Sequence, residues 1–159
     1  MAYSVFVSHG WDDRWVALQI ANNIRNRGAD VFIDMFDLQS GDRIEEKVHA
    51  GITGCNELIS LLTPRSVSRN WVWAEIAGTW ILRKRYVAVT YGLTREEINK
   101  AHGGLAMLAS TNVIDINDLE KYLTELAGRV KDAAHVERAK QACFSFVCCE
   151  RSRIRASIA

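Results

Sequence analysis

The sequence predicts an α/β domain, a parallel β-sheet with helices on both faces, from three observations. Short β-rich runs alternate with amphipathic stretches along most of the chain. The run at 58–62, Leu-Ile-Ser-Leu-Leu, is apolar almost throughout, as a central strand of a parallel sheet must be. Capping residues and glycine stops separate one run from the next.

Residues 3–8 form the first expected strand. Asp12 and Asp13 then sit where a helix N-terminus favours negative charge. That helix runs to Arg27 with Ala17, Ile20, Ala21 and Ile24 on one face, and Gly28 ends it. Residues 31–34 are the second strand, followed by a loop over 35–41. Asp42-x-x-Glu45 reads as a capping box for a helix with Ile44, Val48, Ile52 and Cys55 inward. The third strand, 58–62, is broken off at Pro64. Asn70 is the expected cap of a helix over 71–82, and Arg83, Lys84 and Arg85 complement the dipole at its end.

The fourth strand is placed at 86–91, and Thr94-x-x-Glu97 caps a short helix that ends before a Gly103-Gly104 loop. Residues 112–116 give a fifth strand. Asn117-x-x-Glu120 opens a last helix that turns Leu119, Tyr122, Leu123, Leu126 and Val130 inward. Five strand–helix units thus fill one domain, residues 1–131. The tail, 132–159, keeps a helical period through Val136, Ala139, Cys143 and Val147 and ends basic at Arg151, Arg153 and Arg155. It is expected to be one further helix that docks on the domain or contacts a partner.

A chain of 159 residues, 48% hydrophobic, is long enough to bury one ordinary core. Twenty Lys+Arg against nineteen Asp+Glu leave +1, which argues against a surface built to neutralise nucleic-acid phosphates. One proline excludes the proline-rich and collagen-like classes. The opening residues lack the basic and apolar regions of a secretory leader, and no apolar run reaches the ~20 residues that span a bilayer. Cys55, Cys143, Cys148 and Cys149 match neither a disulfide scaffold nor a paired C-x2-C metal site, so reduced thiols in the cytoplasm are expected. No phosphate-binding glycine loop or zinc-protease motif occurs.

The helix at 71–82, Trp-Val-Trp-Ala-Glu-Ile-Ala-Gly-Thr-Trp-Ile-Leu, has one ionisable residue, Glu75, among three tryptophans. That carboxylate either points to solvent in the first turns or sits at the mouth of a pocket. Trp71 lies one turn earlier on the same side, so an indole and a carboxylate can line one cleft. The helix follows the third strand, at the carboxyl edge where open α/β sheets bind ligands. The pair Asp12-Asp13 is also found in phosphoacceptor receiver domains, but those need an aspartate ending strand three, and Leu62-Thr63-Pro64 offers none.

Four segments carry a family resemblance in register: Tyr3-Ser-Val-Phe-Val-Ser-His9, Asp30-Val-Phe-Ile-Asp-Met-Phe-Asp-Leu-Gln-Ser-Gly-Asp42, Leu58-Ile-Ser-Leu-Leu-Thr-Pro64 and Ser68-Arg-Asn-Trp-Val-Trp-Ala-Glu75. Together they resemble a Toll/interleukin-receptor (TIR) domain over most of residues 3–131, in particular the bacterial-type NAD-cleaving branch. The resemblance implies a three-layer, flavodoxin-like fold with a five-stranded parallel sheet in the order 2-1-3-4-5. It implies cleavage of NAD at the nicotinamide–ribose bond, with Glu75 as the catalytic residue and Trp71 beside the substrate. NAD would then be substrate, with no resident cofactor or metal. His9, Gly10 and Trp11 after the first strand, and Asp34, Phe36, Leu38 and Gln39 after the second, are the positions that would flank nicotinamide riboside. The His-Gly-Trp run departs from the aromatic or arginine of many relatives. His9 has no sequence-local partner as a base, His49 is expected to be solvated, and His102 could reach a neighbouring subunit.

Catalytic TIR domains complete their sites between subunits, so the resemblance also implies self-association. Trp73 and Trp80 lie seven residues apart, on a face offset from Trp71 and Glu75. One helix cannot easily hide three indoles against one sheet, so an exposed pair is an expected interface anchor. The alternative has Trp80 in the core and only Trp73 exposed. Phe144 and Phe146 in the tail could dock on a neighbour or on a separate effector or sensor protein. Two rival functions remain: a non-catalytic TIR adaptor, and a nucleoside deoxyribosyltransferase-like enzyme, which also uses a glutamate. A setting in bacterial antiviral defence, through a nucleotide signal or NAD depletion, fits a TIR chain of this size.

Overall fold

The computed structural model describes the backbone of residues 2–33, 44–101 and 113–156, and their side chains apart from 44, 45, 47 and those beyond 138. Five parallel strands, β1 (Ser4–Ser8), β2 (Asp30–Ile33), β3 (Glu57–Leu62), β4 (Arg85–Thr90) and β5 (Val113–Asp115), lie in the order β2-β1-β3-β4-β5. The described helices are α1 (Arg14–Asn26), α2 (Ile44–Gly54), α3 (Asn70–Ile81), α4 (Arg95–Ala101) and α5 (Leu119–Ala156). The strand order is the one the family resemblance implies.

Alternation along the strands splits the core into two layers. Val5, Val7, Ile59, Leu61, Val87 and Val89 pack with Ala17, Ile20, Ala21 and Ile24 of α1 and Tyr122, Leu123 and Leu126 of α5. Phe6, Leu58, Leu62 and Ala88 turn to the other face, against Val48 and Ile52 of α2, Val72, Trp73 and Ile76 of α3 and Ile98 of α4. Gly51 lets α2 lie close to the stacked Phe6–Phe32 pair, since a Cβ there would meet the Phe32 ring at 2.8 Å. Gly28 takes φ +87° at the end of α1, as its position after the helix requires.

Several helix ends differ from the sequence reading. A 3-10 turn, Trp11–Asp13, precedes α1, and the Asp13 carboxylate accepts the Thr63 hydroxyl at 2.7 Å instead of capping the helix. Asn70 is already helical, and the N-cap of α3 is Arg69 without a side-chain cap bond. Lys84 reaches the end of α2, where its ammonium donates to the carbonyls of Thr53 and Cys55, the latter at 2.5 Å. Arg85 belongs to β4, and Arg83 turns the chain at φ +53°. The residue that caps the turn before α5 is Asp115, which accepts from the Asn117 amide at 2.9 Å. By contrast, Thr94 and Glu97 form the expected capping box, with reciprocal bonds of 2.7 and 3.3 Å. Those bonds hold the Glu97 carboxyl below its usual range.

α5 runs through residue 132 without a break to Ala156. The capping box at Asp42, the Gly103-Gly104 loop, His102 and the side chains of Ile44, Phe144 and Phe146 lie outside what is described. No helix among the described residues is long and apolar enough to cross a membrane.

Candidate active site

α3 is apolar almost all round, so its register against the sheet is set by which flank is largest rather than by a simple amphipathic stripe. Val72, Trp73, Glu75, Ile76 and Thr79 are buried. Glu75 is only 2% exposed, which removes the solvent-facing alternative for its side chain. A buried carboxylate is costly, and a helix keeps one where its surroundings use it.

At about 100° per residue, Trp71, Ala74, Glu75, Gly78, Ile81 and Leu82 fall on one flank of α3, within an arc of about 120°. That flank faces Val48, His49 and Ile52 of α2, and the two helices enclose a cavity of about 330 Å³. The Glu75 residue and the Trp71 indole therefore line one cleft. Trp71 is 42% exposed, so part of the indole on this wall meets solvent. Gly78 contributes space: a Cβ there would still be 3.8 Å from Ile52. The Thr79 hydroxyl donates to the Glu75 carbonyl at 2.8 Å, satisfying it within the helix.

The α2 wall was not legible as site. His49 is exposed, as its charged helix face suggests, yet it lines this cavity and is the one imidazole on its described wall. Only the packing of two helices that are distant in sequence, eleven and twelve residues long, brings it there.

The loop after β1 lies outside the lining of this cavity. His9 is buried, and neither it nor Gly10 nor Trp11 is on the cavity wall. Gly10 is a packing glycine: a Cβ would come within 2.9 Å of the Ser66 Cβ on the β3–α3 turn. Trp11 is exposed and lies under the Arg14 guanidinium, 5.6 Å from its centroid. Asp34, Phe36, Leu38 and Gln39 lie outside the described residues.

Trp73 corrects the expected exposed pair. It is core, and its indole N–H donates to the Val67 carbonyl at 2.7 Å. Trp80 is 58% exposed, with Ile81 and Leu82 exposed beside it. The two indoles share a flank, but the last turn of α3 is where the chain swings through Arg83 into β4, so the core covers only the first of them.

A TIR domain profile matches residues 5–127. The chain belongs to the TIR domain family. Among curated relatives, it is 27% identical to the 2' cyclic ADP-D-ribose synthase BtTIR of Bacteroides thetaiotaomicron, over 78% of this chain and 46% of that protein. It is also 27% identical to the NAD(+) hydrolase TcpA of a Theionarchaea archaeon, over 65% of this chain and 33% of that one. The chain thus spans half or less of these relatives' lengths. The fold is that of the TIR domains of the activated Roq1 resistosome, with a TM-score of 0.60 at 15% identity, covering 84% of this chain and 99% of that one.

Proposed function

We propose that this TIR domain cleaves NAD at the nicotinamide–ribose bond, with Glu75 as its catalytic residue. The observation that carries the reading is the placement of Glu75, a buried carboxylate on the wall of a cleft that it shares with Trp71. The names of the relatives, NAD hydrolase and cyclic ADP-ribose synthase, support the same chemistry.

One carboxylate suffices for it. The ring nitrogen of NAD is already cationic, so the bonding pair leaves with nicotinamide as a neutral molecule and no general acid is needed. Positive charge grows on the ribose as the bond breaks, as in other glycoside cleavage. A carboxylate beside it stabilises that charge and can accept from the ribose hydroxyls. Trp71 offers a ring for the departing nicotinamide to lie against. Water then adds to the sugar carbon and loses a proton, giving ADP-ribose. Capture by a group of the same molecule gives a cyclic isomer. In this reading NAD is substrate rather than a held cofactor, and the biological setting is a nucleotide signal or NAD depletion in bacterial antiviral defence, in the cytoplasm.

Incubation with NAD, followed by chromatography of nicotinamide and the adenosine-containing product, tests the reading. Glu75→Gln keeps shape and removes charge, and a loss on the order of a hundredfold in rate is expected. Undiminished cleavage by a correctly folded Glu75→Gln variant overturns it. A deoxynucleoside arm covers the deoxyribosyltransferase alternative. The adaptor reading draws on one observation, the exposed apolar end of α3 at Trp80, Ile81 and Leu82. Assembly through that end is compatible with catalysis, and turnover that rises with self-association joins the two.

A further inference from the structure

A second cavity opens at the carboxyl edge of the sheet, apart from Glu75. The connections after β1, β3 and β4 enclose about 380 Å³, lined by Asp12, Asp13, Trp15, Thr63, Arg65 and Tyr91 among others. β1 and β3 are the neighbours at which the strand order reverses, the place where open α/β sheets take ligands.

The polar groups on its wall divide into those already engaged and those available. Asp13 is held by the Thr63 hydroxyl, and Asp12 lies 3.5 Å from the Arg69 guanidinium. Both carboxylates therefore tie loops together. Arg65 is exposed and pairs with no carboxylate among the described residues. Trp15 and Tyr91 are 72% and 52% exposed, two large rings on one cavity with no core to cover them. Aromatic faces beside an available guanidinium suit a planar heterocycle that carries a phosphate: the rings stack on the base and the guanidinium takes phosphate oxygens.

We propose that this cavity binds the adenosine-phosphate moiety of a nucleotide. The choice of base rests on the NAD reading of Glu75. The β3–α3 connection joins the two cavities, with Arg65 on one and Trp71, six residues later, on the other. That separation is at most about 21 Å along the chain, within reach of a dinucleotide whose nicotinamide end lies at Glu75. The same moiety could also arrive as a free nucleotide.

Calorimetric titration of the full chain with AMP tests the site without turnover, so its outcome is separate from whether NAD is cleaved. AMP is expected to bind, and Trp15→Ala to weaken it tenfold or more. Arg65→Ala should weaken AMP similarly while leaving the weaker binding of adenosine unchanged. Both side chains are exposed, so the variants fold. Competitive inhibition of NAD cleavage by AMP assigns the cavity to the far half of the substrate. Non-competitive behaviour assigns it to a separate nucleotide, and either supports the site. Absence of AMP binding at millimolar concentration, or binding by Trp15→Ala and Arg65→Ala as tight as by the unsubstituted chain, overturns it.

Discussion

Glu57→Gln is expected to be among the most destabilising conservative substitutions in the described chain. Glu57 opens β3 at the amino edge of the sheet and is fully buried. Its carboxylate accepts from the hydroxyls of Tyr3 at 3.0 Å and Tyr122 at 2.6 Å. The Arg129 guanidinium lies 3.1 Å away and is itself mostly covered. Arg85, 3.8 Å away, is more exposed and counts for less. The amide keeps the shape but loses the charge and turns one acceptor into a donor facing donors. Removing one partner of a buried pair typically costs about 3–5 kcal/mol, because the other charge is left uncompensated. Total stability of a domain this size is about 5–15 kcal/mol, so the loss is a large fraction of it. Urea unfolding should show a lower midpoint at unchanged slope. A double-mutant cycle with Arg129→Met should return a coupling of about 1 kcal/mol or more. A loss below about 1 kcal/mol, or no coupling, refutes the assignment of the network as the tie between β3 and α5.

Three further outcomes follow from packing and charge. Gly51→Ala should cost about 1–3 kcal/mol by driving a methyl into Phe32 and Phe6. Gly54→Ala, with nothing within 4 Å, should be neutral or stabilising, and equal unfolding midpoints for the two would contradict the close approach of α2. Burial and then the Glu57 charge push the Tyr3 hydroxyl up to about 12, and the same causes raise Tyr122. An unfolded phenol ionises near about 10. The unfolded state therefore loses its protons first, and stability present below that pH falls as pH rises from about 10 to about 12. Urea midpoints tracked with phenolate absorbance should fall together there, and a level midpoint sinks the claim. Trp80→Glu should leave stability within about 0.5 kcal/mol but abolish self-association and the turnover that depends on it. Specific activity constant across a wide dilution series, with light scattering reporting monomer only, rules assembly out.

Much of the fold was legible because hydrophobic period is a local property. Ala17, Ile20, Ala21 and Ile24 announce the inner face of α1, and Tyr122, Leu123 and Leu126 that of α5, and all are buried. The Thr94–Glu97 box was legible for the same reason, since both partners lie within one turn. Glu57 was not. It reads as a polar residue preceding an apolar strand, and only Tyr3, Tyr122 and Arg129, distant in sequence, make its burial tolerable. Lys84 misled in the same way, because its acceptors belong to α2 rather than to the helix it follows.

By itself, the sequence determined the succession of strands and helices, the apolar strand at the centre of the sheet, and Glu75 as an isolated carboxylate one turn from Trp71. The tertiary structure alone decided that Glu75 is buried against a cleft, that His49 shares its wall, and that Trp73 is core while Trp80 is bare. The physical reason lies in what a periodic pattern encodes. It fixes which face of an element avoids water, because that follows from the residue-by-residue rotation of the chain. It carries no record of what stands opposite that face, how far along the element the cover extends, or which charge from another strand arrives to meet a buried one. Those depend on the packing of α2, α3 and the sheet together.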